Sequence, residues 1–160
     1  MAAHSIPAEA FDDDAEPRST LRLLKPRAKV LSVSANQSDH LLLYRLMDAS
    51  QWTLVTADNC RDAVRQLWLS GARAVFCDCS LPDGTWKNVV GRISRLGAPP
   101  CFAVLSPLVD ASLWSEVLNH GGCAVLVKPL SGRDVRRILD SAYAPEARPL
   151  GRTRVSRSGG

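Results

Sequence analysis

The chain has 160 residues, 46% of them hydrophobic and 22% charged, with a formal net charge of +4. That length predicts one folded domain with tails, and the composition is that of an ordinary globular chain rather than a disordered or fibrous one. No apolar run reaches the ~20 residues a bilayer crossing needs, and the first residues lack a basic-then-apolar leader, so a cytoplasmic protein with no membrane contact is expected.

Charge is unevenly spread. Glu9, Asp12, Asp13, Asp14 and Glu16 face Arg18 near one end, and Arg148, Arg152, Arg154 and Arg157 face Glu146 near the other. Both ends are rich in Pro, Ala, Ser or Gly and lack periodicity, which predicts an acidic disordered tail over 1–28 and a basic one over 145–160, around a domain at 29–144. Four arginines without interleaved aromatics read as a solvated tail, with contact to nucleic acid as the alternative. The five cysteines are odd in number and sit in or beside apolar runs, which predicts reduced thiols. Cys77 and Cys79 form a C-x-C without a matching His/Cys pair, a poor zinc pattern, and His4, His40 and His120 are scattered.

Within 29–144, short apolar runs alternate with amphipathic stretches. Val30 to Val33 is the first predicted strand, and Ser38 or Asp39 is placed to cap a helix carrying Leu42, Leu43, Leu46 and Met47. Trp52 to Thr56 is the second strand. Asn59 opens a helix with Ala63, Val64, Leu67 and Trp68 on one face, ended by Gly71. The third strand, Ala74 to Cys77, runs into Asp78 and then the breaker cluster Leu81-Pro82-Asp83-Gly84. Val89, Val90, Ile93 and Leu96 mark a third helix closed by Gly97. Cys101 to Leu105 is a fourth strand, Leu113, Trp114, Val117 and Leu118 a fourth helix, and Cys123 to Val127 a fifth strand. Ser131 and Asp134 form an S-x-x-D cap on a last helix that buries Val135, Ile138, Leu139 and Ala142. Continuous apolar strands separated by helices predict an α/β, doubly wound, five-stranded parallel sheet with helices on both faces. In such sheets ligands bind beyond the carboxyl ends of the strands, which is where Asp78 lies.

Three anchors at strand ends give this pattern a family likeness. Asp78 ahead of Leu81-Pro82-Asp83-Gly84, Ser106 at the end of the fourth strand, and Leu126-Val127-Lys128-Pro129 at the end of the fifth together resemble the receiver domain of two-component response regulators. The resemblance covers roughly Lys29 to Tyr143. It implies a flavodoxin-like strand order 2-1-3-4-5, with Asp78 as phosphoacceptor, Ser106 as switch hydroxyl, Lys128 as the phosphoryl-contacting cation and a cis-proline after it. It also implies Mg²⁺ as cofactor, a sensor histidine kinase or phosphotransfer protein upstream, and a downstream protein bound on the face of the fourth helix, fifth strand and fifth helix. No enzyme activity is expected beyond self-catalysed phosphoryl transfer from a donor to Asp78. The chemistry suits those residue types: a carboxylate attacks phosphorus, and an ammonium and a hydroxyl stabilise charge on the transferring oxygens.

The sequence departs from the family at the metal. Ser34 and Ala35 stand where an acidic pair is expected, which leaves the Asp78 carboxylate and the Ser80 backbone carbonyl as metal ligands, with Asp39 about one helical turn too far along to substitute directly. A loss of only ~1.4 kcal/mol per carboxylate weakens the metal about a hundredfold. Val125 takes the place of the family's mobile aromatic residue, and Leu108 brings an apolar side chain near the water route to any phosphoryl group. Trp52, Trp68 and Trp114 read as core or half-buried packing, whereas Trp86, followed by Lys87, suits either packing or a surface near the site. The favoured reading is a single-domain atypical receiver with impaired phosphorylation that acts through protein contacts. The alternatives are a conventional receiver phosphorylated on Asp78 and nucleic-acid contact through the basic tail.

Overall fold

A computed structural model describes residues 28–143. Apart from Ala28, the two predicted tails lie outside these residues. In chain order the elements are β1 (Ala28–Val33), α1 (Gln37–Leu46), β2 (Trp52–Ala57), α2 (Cys60–Ser70), β3 (Ala74–Asp78), β4 (Ser80–Leu81), β5 (Gly84–Thr85), α3 (Trp86–Ile93), β6 (Cys101–Ser106), α4 (Ala111–Asn119), β7 (Ala124–Val127) and α5 (Gly132–Ala142). The five long strands form one parallel sheet in the order β2-β1-β3-β6-β7, which is the expected 2-1-3-4-5 arrangement once the small β4–β5 hairpin is set aside.

Side chains alternate across a strand, and that alternation feeds two cores. Leu31, Val75, Phe102, Val104 and Val125 pack under α2, α3 and α4, with Ala63, Leu67, Val89, Ile93 and Val117. Val30, Phe76, Ala103, Leu105 and Leu126 pack under α1 and α5, with Leu43, Met47, Val135, Ile138 and Leu139. Both faces are covered, so the strands read as unbroken apolar runs. The register sets Val33 beside Cys77, Asp78 beside Leu105, and Ser106 beside Val127. The carboxyl ends of four strands therefore share one edge.

Capping fixes where each helix begins. Asn59 accepts from Asp62 N–H at 2.7 Å, and Asp83, from the β4–β5 turn, accepts from Cys60 and Arg61 N–H at 2.7 and 3.2 Å. Thr85 accepts from Lys87 N–H while Asn88 accepts from Thr85 N–H, and Ser131 accepts from Asp134 N–H as the S-x-x-D pattern predicts. Gly71 ends α2 at φ 69, a left-handed conformation that suits glycine.

Several expectations change. The cap of α1 is Asn36, so the helix starts earlier than a Ser38 or Asp39 cap implies. The α3 helix stops at Ile93 with Ser94 as its cap, leaving Leu96 in the turn beyond it. The buried stripe of α2 is Cys60, Ala63 and Leu67, and Trp68, one residue further round the helix, is 73% exposed. Not all the cysteines are reduced. Cys101 and Cys123 form a disulfide with a Cα–Cα distance of 5.8 Å, while Cys60, Cys77 and Cys79 are free thiols. The reason lies in the register: β6 and β7 are neighbours, and Ala103 opposite Ala124 brings the two cysteines at their amino ends within bridging range.

Candidate functional site

The site is built from the strand ends. After Asp78, the Cys79 N–H donates to Leu105 O at 3.0 Å and Trp86 N–H donates to Cys79 O at 3.3 Å, so the chain beyond β3 is tied to β6 and α3. Beyond β7, Lys128 N–H donates to Ser106 O at 3.0 Å, and the Lys128–Pro129 peptide is cis. These bonds bring the Lys128 Nζ to 3.3 Å from Asp78 Oδ2. The same ammonium donates to Asp39 Oδ2 at 3.0 Å.

Asp39 thus reaches the site, contrary to the expectation that it lies too far along α1. With Asn36 as cap, Asp39 sits in the first turn, and side chains of a helix tilt toward its amino end. That tilt carries the carboxylate back over the turn and onto the strand ends. Ser34 fixes it there. The Ser34 backbone N–H donates to Ala57 O at 3.0 Å, its hydroxyl accepts from Asn36 N–H at 3.0 Å, and it donates to Asp39 Oδ2 at 2.6 Å.

The Asp39, Asp78 and Lys128 side chains are 20%, 17% and 25% exposed, so water screens this cluster only in part. Burial acts to lower the Lys128 pKa, but the hydrogen bond to Asp39 and the charges of Asp78 and Asp39 outweigh it, and the pKa lies above its ordinary value. Lys128 is therefore held as an ammonium between two carboxylates.

Ser106 is buried at the end of β6, but its hydroxyl is engaged elsewhere. It donates to Leu108 O at 2.7 Å and accepts from Leu108 N–H at 3.2 Å, closing a small ring with its own loop. The structure therefore brings Asp78 and Lys128 together, adds Asp39 and Ser34, and turns the Ser106 hydroxyl toward Leu108. Ala35 and Leu108 are exposed, Val125 is buried, and Ser80 pairs with Thr85 in the hairpin. Trp86 is buried and meets the His120 ring edge-on at 5.3 Å, which makes it a packing residue.

For a dication the donor set fits poorly. Magnesium demands near-octahedral oxygen ligation, and the Lys128 ammonium already bonds both carboxylates that reach the site, while the Ser34 proton is committed to Asp39. Among the described residues no group of three or more His, Cys, Asp or Glu side chains is placed to hold a metal ion. No helix among them is long and apolar enough to cross a membrane.

No family model matches the sequence, and no curated protein matches it. Solved structures do match the fold. A two-component response regulator from Clostridium difficile superposes with a TM-score of 0.69 at 16% identity, over 76% of this chain and 100% of that one. The chemotaxis response regulator CheY4 of Vibrio cholerae gives 0.64 at 19% identity, over 73% and 99%. The signal receiver domain of the putative response regulator NarL from Mycobacterium tuberculosis gives 0.67 at 15% identity, over 75% and 99%. At these identities the likeness is one of fold.

Proposed function

We propose that this chain is an atypical receiver module of two-component signalling, whose pocket Lys128 holds in one charge-satisfied state and whose output is contact with another protein. The observation that carries the reading is the shared ammonium, 3.0 Å from Asp39 and 3.3 Å from Asp78. In a phosphorylated receiver the resemblance gives Asp78 the attack on phosphorus, Lys128 the phosphoryl oxygens and Ser106 the switching hydrogen bond. Here each of the last two has a resident partner. Lys128 would have to leave Asp39, and Ser106 would have to leave Leu108, before either met an incoming phosphoryl group. Asp39 also adds negative charge beside the approach of a phosphate dianion. The expected consequence is slow phosphorylation and weak Mg²⁺ binding.

The contact face in this reading is formed by α4, β7 and α5. Val127 on the edge strand β7 is 48% exposed, Leu118 on α4 37%, and Leu108 and Val109 in the loop before α4 are exposed as well. The upstream partner is a histidine kinase or phosphotransfer protein. No reaction is catalysed beyond phosphoryl transfer to Asp78.

A second reading, an ordinary phosphoacceptor, is supported by the 17% exposure of the Asp78 side chain beside its lysine. One experiment separates the two. The chain is incubated with acetyl phosphate and Mg²⁺, and its intact mass is followed. Little or no gain supports the atypical module. Stoichiometric gain of one phosphoryl group, abolished in Asp78→Asn, establishes the ordinary one.

A further inference from the structure

At the opposite edge of the sheet lies a cavity of about 350 Å³ between the end of α1, the start of β2 and α5. Its apolar wall is Leu46, Met47, Trp52 and Leu139, and Asp48, Asp140 and Arg136 stand among its polar lining. The rim therefore carries two carboxylates against one guanidinium. Asp48 is held ionised: its pKa is lowered, first by the Ser50 hydroxyl and then by the Ser50 N–H, at 2.7 and 3.0 Å.

We infer that this cavity is the docking site for the chain's own segment Leu21-Arg22-Leu23-Leu24-Lys25. Two observations select that occupant over a second copy or a foreign protein. The first is position. Ala28, the first residue of β1, pairs in parallel register with Trp52, which is a wall of the cavity, so β1 begins beside it. An extended chain spans about 3.3–3.6 Å per residue, so residues 24 to 27 reach about 14 Å, which covers the distance across such a cavity. The second is chemistry. The segment alternates leucines with Arg22 and Lys25, and the cavity joins an apolar wall to an acidic rim. A tether this short holds the segment at about millimolar effective concentration, so a site of modest intrinsic affinity is filled. Such docking covers the face of α1 and α5 away from Asp78, and it is independent of whether Asp78 is phosphorylated.

The chain contains two methionines, Met1 and Met47, so ¹³C-methyl labelling of methionine gives a single probe in the cavity. In the full chain, Leu23→Ser with Leu24→Ser is expected to move the Met47 methyl resonance. Its relaxation by a soluble paramagnetic agent should rise about twofold or more, as a site filled at millimolar effective concentration empties. Phe11→Ser, an apolar loss elsewhere in the same end of the chain, is expected to change neither. Arg22→Glu with Lys25→Glu, which removes no apolar side chain, should act in the same direction more weakly. A Met47 signal unmoved by both double variants overturns the proposal, as does one whose position depends on protein concentration, since that assigns the cavity to a second copy.

Discussion

Asp39 and Asp78, on different elements of the fold, share one cation: the Lys128 Nζ lies 3.0 Å from the first and 3.3 Å from the second. An ammonium between two partly buried carboxylates satisfies both; removal of Lys128 deprives both carboxylates, and removal of either carboxylate deprives the ammonium of one partner. Asp39→Asn keeps the shape and removes the charge. It is expected to destabilise the fold by about 1.5–3 kcal/mol, the range for hydrogen bonds to charged groups, as read from urea unfolding. Lys128→Met should cost at least as much, because two carboxylates are then left side by side. If neither variant shifts the midpoint, the ammonium is a spectator.

Restoring acid at the end of β1 tests the same electrostatics from the other side. Ala35 is exposed, so Ala35→Asp fits without disturbing the core. One added carboxylate is expected to raise Mg²⁺ affinity about tenfold, the equivalent of ~1.4 kcal/mol, measured by isothermal titration. The phosphoryl gain from acetyl phosphate should rise with it. An unchanged Mg²⁺ isotherm would mean that Lys128, not the missing acids, sets the metal affinity.

Alkaline pH should unfold the protein early. Burial first, then the Asp83 hydrogen bond and charge, push the Cys60 thiol up to about 11 from its ordinary 9.0. A raised folded pKa contributes stability that is complete below about pH 9 and is lost as pH climbs toward 11. Cys77, raised chiefly by burial, and Tyr143, raised by burial against its hydrogen bonds, act with the same sign. The Lys128 contribution follows above its ordinary 10.5, since its folded pKa is also raised. Melting temperature measured from pH 8 to 11 should therefore fall steeply, and Cys60→Ser should flatten the early part of that fall.

The Cys101–Cys123 bridge closes a loop with a sequence separation of 22. A cross-link of that length is expected to stabilise by about 2–4 kcal/mol, mainly through the unfolded chain. Dithiothreitol should lower the melting temperature of the wild-type chain and leave Cys101→Ala/Cys123→Ala unaffected. Equal response of both proteins to reductant would place the effect elsewhere.

Much of this architecture is legible in the sequence where the signal is local. Ala74 to Cys77 reads as a strand because an unbroken apolar run so short must be covered on both faces, and Asn59, Gly71 and Ser131 announce helix ends through their own side chains or backbone freedom. The strand order and the meeting of Asp78 with Lys128 at one edge are implied by the family likeness of the strand-end anchors, not by the run pattern itself, and the fold shows both. What the sequence hid is long-range or rotational. The disulfide depends on two strands being neighbours, which no spacing of cysteines declares. Trp68 differs from Leu67 by a single step around a helix, yet one is exposed and the other buried. Asp39 turns on the choice of cap: with Asn36 rather than Ser38 in that role, the carboxylate swings back toward the sheet. Asn36 two residues before Ser38 was the available clue, since an asparagine is among the strongest capping residues.

The Tyr143 hydroxyl, at the end of α5, donates to the carbonyl of Lys29 in β1 and accepts from the Arg73 N–H at 2.8 Å. One phenol thereby staples the first strand, the last helix and the approach to β3 into a closed knot on the side of the sheet away from Asp78. Segments spliced onto either boundary of the folded unit emerge far from the carboxylates, so a fusion partner could be hung there without shading the acidic edge from a visiting protein.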